Sequence, residues 1–163
     1  LDKHHIELQA IAWRGKIIHE TISLEKFIDL YIARYFCGNN EKKVKDLHLF
    51  FLGDNRTSFG GKCEVFKHIA ETHDTDWYLK YKSVKKTMYQ DLEDIIASRN
   101  VLAHRLLDTG DDTLANYPES MVFKKYNLKY KYEDYTEKDM NTLMSKIEGI
   151  SVYLISRLFP LLL

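Results

Sequence analysis

The sequence predicts an all-α fold: an up-and-down bundle of four to five helices, with a short β-hairpin or extended insert before the last helix. Three observations predict it. Only 2 Pro and 7 Gly punctuate 163 residues, and so few breakers leave long uninterrupted elements. Apolar residues recur every three or four positions over several long stretches, the spacing of one buried helical stripe. One segment, Met121 to Tyr135, drops that period for alternating polar and aromatic residues, as strands do. The length fits one domain, residues 1–163, at roughly 100–200 residues per domain.

The first helix is expected from about Lys3 to Phe36, with Ile17, Ile18, Thr21, Leu24, Ile28, Tyr31, Ile32 and Tyr35 as its stripe and Gly15 as a point where it bends or splits. Gly38-Asn39-Asn40 is its stop, because Gly and Asn tolerate the left-handed cap geometry. A short helix follows, about Glu41 to Leu52, with Val44, Leu47, His48 and Phe51 on one side. Gly53 to Gly61 reads as a loop, and Lys62 to His73 as a third helix carrying Val65, Phe66, Ile69 and Ala70. Thr75 and Asp76 are cap or turn residues. A long helix is expected over about Trp77 to Leu107, with the row Val84, Met88, Leu92, Ile95, Ile96, Arg99, Leu102 and Leu106. A loop opens at Asp108, and the extended insert lies around Asn127. Thr136 and Asp139 form a capping box for the last helix. Its stripe is Met140, Leu143, Met144, Ile147, Ile150, Leu154 and Leu158.

Charge excludes one class of function. Lys+Arg and Asp+Glu both number 24, which argues against coating nucleic acid by bulk positive charge. Cys37 and Cys63 are too few for a disulfide framework and read as reduced thiols of a cytoplasmic protein. The charged, His-rich start, Leu1 to Gln9, does not read as a signal peptide. The apolar run Leu158 to Leu163 falls far short of the roughly 20 residues that a membrane span needs, so no membrane partner is expected. His48, His68 and His73 lack companions at zinc-site spacing, and Gly60-Gly61-Lys62 lacks the rest of a phosphate loop. No metal and no cofactor are expected.

The segment that could carry chemistry is Arg99-Asn100-Val101-Leu102-Ala103-His104. Asn100 and His104 are four apart and share a helix face. Arg99 and His104 are five apart, about 140° around the axis, so they flank a groove. Arg99 interrupts an apolar row, where a charge is costly unless it meets a partner, a ligand or water. Ala103 is small enough to let another chain approach. The same spacing occurs at Arg14–His19, but that copy has Gly after the arginine and lies outside a clean core stripe.

Late in a long amphipathic helix, with a polar residue after the arginine, the Arg99–His104 hexad resembles the hallmark of the HEPN superfamily of all-α domains. The segment Glu25 to Phe36 resembles the first helix of that family, and the Thr136 cap with its helix resembles the last. The resemblance implies a metal-independent endoribonuclease, in which motif helices of two subunits meet across a two-fold axis to form one composite site. His104 would then move protons at the ribose 2′-OH or the leaving 5′-oxygen, for which an imidazole titrating near 6.5 is suited. Arg99 would stabilise the phosphorane-like transition state, and Asn100 would orient His104 or the phosphate. The implied products are a 2′,3′-cyclic phosphate and a 5′-OH. The implied partners are RNA, a second copy of the chain and an antitoxin protein, in a toxin–antitoxin or anti-phage setting. One subgroup has Tyr two residues after the His; here Leu106 stands there, preceded by Arg105, which would add phosphate-binding charge.

Other readings stay open. Arg99 and His104 could be a salt-bridged arginine and a satisfied histidine, with Asp91, Glu93, Asp94 or Asp108 as partners. The domain would then be a non-catalytic helical module for dimerisation or for binding RNA or a nucleotide, or a regulatory domain that takes a partner protein in its groove. An RNA surface could combine Lys80, Lys82, Lys85 and Lys86 with Tyr78 and Tyr81, and Lys124, Lys125, Lys129 and Lys131 with Tyr126, Tyr130 and Tyr132, since aromatic rings stack bases while lysines neutralise phosphates. The competing reading of these residues is a solvated helix face and a mixed hairpin.

Overall fold

A computed structural model describes residues 3–53, 57–84, 88–125 and 131–159, with 82–84 as backbone alone. Among these residues the chain is mostly helical, with one small sheet placed before the last helix, as expected. Its spine is α1, Lys3–Cys37. Gly15 does not interrupt α1, because the surrounding turns are anchored by Ile6, Ala10, Ile17, Leu24 and Ile28, all buried. The helix stops where Gly38 takes φ +58° and its N–H bonds the Arg34 carbonyl at 2.8 Å, the left-handed cap that glycine tolerates best.

Asn40 caps α2, Glu41–Leu47, by accepting from the Lys43 N–H. The expected helix to Leu52 instead widens into a π turn, His48–Leu52. The wider turn breaks the 3.6 spacing, so Leu52 turns inward while Phe51 is 62% exposed. Gly53 closes the turn; a Cβ there would sit 2.7 Å from the His48 carbonyl oxygen. Ser58 caps α3, Phe59–His73, which starts three residues earlier than the sequence suggests because the Ser58 hydroxyl accepts from the Gly61 N–H. Val65 faces solvent rather than the core.

Of the long helix expected from Trp77 to Leu107, the described residues hold α4, Thr75–Val84, and α5, Met88–His104. α5 ends before Leu106, which enters a short strand β1, Leu106–Leu107, and is exposed. A six-residue helix α6, Asp111–Asn116, is too short for periodicity to announce. The extended insert is a hairpin of β2, Met121–Lys125, and β3, Lys131–Tyr135, antiparallel with β1 on the outer side of β2.

The last helix, α7, Glu137–Leu158, has the expected capping box. Thr136 N–H and hydroxyl both donate to Asp139 Oδ2, at 2.9 and 2.6 Å, and the Asp139 N–H returns to the hydroxyl at 3.1 Å. All seven stripe residues of α7 are buried. α7 lies along α1, with α5 against both. The core runs between them through Ile17, Leu24, Leu92, Ile95, Ile147 and Leu154.

α1 and α3 are also joined by a buried ionic cluster. Lys62 Nζ donates to Glu25 Oε1 at 2.6 Å and Asp29 Oδ2 at 3.0 Å, and its side chain is 3% exposed. Burial pulls the Lys62 ammonium down, but the two carboxylates more than offset that and hold it above its ordinary 10.5. Asp29 has one oxygen without a partner among the described residues, and burial holds its carboxyl above 3.8. Burial also pushes the adjacent Cys63 thiol up to about 12, which makes it an inert core residue.

Lys62→Met should cost about 3 kcal/mol, since it strands two carboxylates. Adding Asp29→Leu should recover part of that loss; urea unfolding of the single and double variants checks both. Thr136→Ala should cost about 1 kcal/mol near neutral pH. Its hydrogen bonds hold Asp139 below the ordinary 3.8, so the cap acts fully above about pH 4 and fades as pH falls through the lower folded value. The wild-type advantage over the alanine variant should shrink accordingly in acid.

Candidate active site at the end of α5

The last turn and a half of α5 divides cleanly into two faces. Val101 and Leu102 are buried and clamp the helix to the core. Arg99 is half-buried, and Asn100, Ala103 and His104 are exposed. On a helical wheel these four span about 140°, with Arg99 at one edge, His104 at the other, and Ala103 and Asn100 between. The small Ala103 leaves space between guanidinium and imidazole. Arg99 Nη1 donates to Asn100 Oδ1 at 3.2 Å, so the polar residue after the arginine holds it in place.

No acidic residue pairs with Arg99 or His104 among the described residues. Three of the four acids that could have neutralised them are held elsewhere. Asp91 accepts from the Tyr81 hydroxyl at 2.9 Å and lies 3.3 Å from Lys146 Nζ. Asp94 also pairs with Lys146. Asp108 accepts from Lys124 Nζ at 2.9 Å and from the Thr113 hydroxyl at 3.1 Å, and Lys124 above all draws its carboxyl below 3.8.

The chain leaving His104 is fixed by three contacts. Arg105 N–H continues the helix to the Val101 carbonyl at 2.9 Å. Leu106 and Leu107 then pair with Lys124 and Phe123 of β2. From α1, Arg14 Nη2 donates to the Arg105 carbonyl at 2.6 Å, while its guanidinium stacks on Phe123 at 4.8 Å. Burial lowers the pKa of Arg14, and its Nε is without a partner among the described residues. Sequence reasoning set Arg14 aside as a chance copy of the motif; only the fold reveals it as the tie behind His104. An arginine next to a glycine on an otherwise amphipathic helix was the available signal.

The other expected site residues are distributed differently. Arg105 Nη1 lies 2.6 Å from Glu133 Oε1, with its side chain 15% exposed, so it stitches α5 to β3 rather than standing free for a phosphate. Lys124 is held by Asp108, whereas Lys125 is exposed. Lys82 is described as backbone alone, and Lys85 and Lys86 lie outside the described residues, as do Tyr126, Lys129 and Tyr130. Tyr78 and Tyr81 are buried, at 6% and 1% exposure. Base stacking on them is overturned: Tyr81 instead donates to Asp91 inside the bundle.

Beside α5, toward β3 and α7, runs a groove of about 450 Å³ lined by Asp94, Glu133, Asp134 and Asp139 with Lys146 as its cation. Two of its four carboxylates are paired with cations, Asp94 with Lys146 and Glu133 with Arg105. Among the described residues no three His, Cys, Asp or Glu side chains converge as a metal would require, and no helix is long and apolar enough to cross a membrane.

Arg14→Ala should loosen the last turn of α5 while leaving the bundle folded. Hydrogen exchange should accelerate at the amides of residues 103–107 by about 10-fold or more, with little change in α7; uniform acceleration would mean that Arg14 serves global stability instead. No family model, curated protein or solved structure matches this chain, so the reading of the site stands on its own geometry.

Proposed function

We propose that the chain is a metal-independent endoribonuclease of HEPN type, acting as a homodimer in which two α5 ends form one composite site. The observation that carries this reading is a guanidinium and an imidazole on one helix end, both reachable from solvent and neither neutralised by an acid. Arg105 and Arg157, by contrast, each meet a carboxylate, and Arg14 and Arg34 donate to backbone carbonyls.

The chemistry follows from the side chains. His104 takes the proton from a ribose 2′-OH, whose oxygen attacks the adjacent phosphorus; the leaving 5′-oxygen is protonated in turn by an imidazole. The P–O5′ bond breaks as the P–O2′ bond forms, leaving a 2′,3′-cyclic phosphate and a 5′-OH. Arg99 supports the equatorial oxygens of the phosphorane-like state with paired donors. Asn100 keeps Arg99 in reach through the bond between their side chains. Arg105, bound to Glu133, holds the turn rather than the RNA. By the same reading the protein works in the cytoplasm, in a toxin–antitoxin or anti-phage role, with an antitoxin protein as a second partner.

A second reading, a non-catalytic module that binds a second copy or a partner protein rather than RNA, is favoured by the acidic groove and by the pairing of Lys124 and Arg105, which leave little positive surface near α5. One experiment separates the two. Purified chain is incubated with single-stranded RNA in excess EDTA beside Arg99→Ala and His104→Ala. Chelator-resistant cleavage is expected from the wild type, with losses of about 100-fold or more in both variants and unchanged helical content. Cleavage that survives in His104→Ala removes that residue as proton carrier; absence of any cleavage by the wild type leaves the binding module.

A further inference from the structure

We infer that the end of the bundle remote from the α5 motif holds a second site, a pocket for a small phosphate monoester. Arg34 and Arg157 take the phosphate, and the groove beyond Tyr35 takes the apolar body of the molecule. The inference does not rest on the nuclease reading. Arg34 stands about 30 Å along α1 from Arg14, and Arg14 marks the end of α5.

The pocket forms where α1, α3 and α7 finish. Tyr31, Arg34 and Tyr35 share a face in the last turns of α1 through their spacing of three and four. With His73 and Asp74 at the end of α3 and Arg157 at the end of α7, they line a cavity of about 290 Å³. Small-molecule sites start near ~300 Å³.

Both guanidiniums are set in place by the fold. Arg157 Nε donates to Asp74 Oδ2 at 2.6 Å, and the Tyr31 hydroxyl donates to the same oxygen at 3.0 Å. Tyr31 is buried, so that carboxylate is anchored from inside. Arg34 Nη1 donates to the Leu158 carbonyl at 2.5 Å, and its guanidinium lies over the Phe159 ring at 5.1 Å. Neither guanidinium has a further polar partner among the described residues, so each keeps most of its five N–H donors. The negative end of α7 accounts for one donor of Arg34 and leaves the others unused. Asp74 is the one carboxylate of the cavity lining, set against two guanidiniums.

That arrangement selects a phosphate over a carboxylate. A carboxylate has two oxygens and fills one guanidinium fork. The terminal oxygens of a phosphate monoester accept from two forks at once.

The body of the ligand is read from what adjoins the cavity. The Tyr35 and His73 rings pack 5.0 Å apart, and Phe36 meets Tyr35 edge-on at 5.0 Å. This row of rings leads into a groove of about 400 Å³ that shares Tyr35, Ile69 and His73 with the cavity and adds Phe36, Glu64, Val65 and His68. Phe36 is 64% exposed and Val65 40%. Guanidiniums at one end and bare apolar side chains at the other suit a phosphate ester with a small apolar or aromatic body, in preference to free phosphate.

Phenyl phosphate is the probe. It is titrated into the full chain by calorimetry at low salt, beside inorganic phosphate as the head alone, phenol as the body alone, and benzoate. Phenyl phosphate should bind saturably, at least about 10-fold tighter than each of the other three. Arg34→Gln and Arg157→Gln should each weaken it by about 10-fold or more with unchanged helical circular dichroism. Arg157 is half exposed, so its variant carries the test even if Arg34→Gln disturbs the end of α7. Phe36→Ser should weaken phenyl phosphate and leave inorganic phosphate as before. Lys26→Gln, an exposed lysine outside the cavity, should change neither. Absence of saturable binding, equal affinity for inorganic phosphate or benzoate, a folded Arg157→Gln that binds like the wild type, or an equal loss in Lys26→Gln overturns the inference.

Discussion

The tie between Arg14 and the carbonyl of Arg105 governs where the motif stands. A helix leaves its last carbonyls without intrahelical partners, and α5 ends where the chain must turn at once into a strand. The guanidinium from α1 satisfies one carbonyl at that turn and sets positive charge at the negative end of the helix dipole. Its flat face rests on Phe123, so the same side chain fixes the distance from α1 to both α5 and β2. Burying a cation with an unpartnered Nε costs free energy, and the structure sustains that cost in the one place where three elements meet behind His104.

Much of this fold was legible because the helices obey their own period. The α7 stripe, the Thr136 cap and the stop at Gly38 each rest on local chemistry that needs no tertiary partner to be read. The misreadings fall where tertiary geometry changes the period. Phe51 leaves its stripe because a π turn intervenes, and Leu106 leaves the α5 row because β2 recruits it into a sheet. The site was legible in part for the same reason. Arg99 and His104 could be placed on one helix from spacing alone, but the pairing of Arg105 with Glu133 and the burial of Tyr81 depend on residues distant in sequence. Arg14 illustrates the limit: its partner lies 91 residues away, and no local pattern connects them.

A net charge of zero conceals a strong division of charge. Acids gather in the groove between α5, β3 and α7, while lysines near them are consumed in ion pairs: Lys146 by Asp91 and Asp94, Lys124 by Asp108. Each pair removes a cation that a polyanion could have used. Arg99 stands apart because its only side-chain partner among the described residues is a neutral amide. Arg157 and Arg105 meet carboxylates and Arg14 and Arg34 donate to backbone carbonyls, whereas Arg99 has a neutral side-chain amide beside it, and the small Ala103 keeps its approach open.

In the nuclease reading, one copy alone would be an incomplete catalyst. Arg99 and His104 are separated by about 7.5 Å along the helix and about 140° around it, so on a single α5 they diverge. A phosphodiester held by one is turned away from the other. Lengthening either side chain would not help, since both radiate from the same axis. Convergence requires a second helix end facing the first, so that the guanidinium of one copy meets the imidazole of the other across a shared space. The geometry of an ideal helix therefore demands of the nuclease reading a symmetric partner whose own α5 end faces this one.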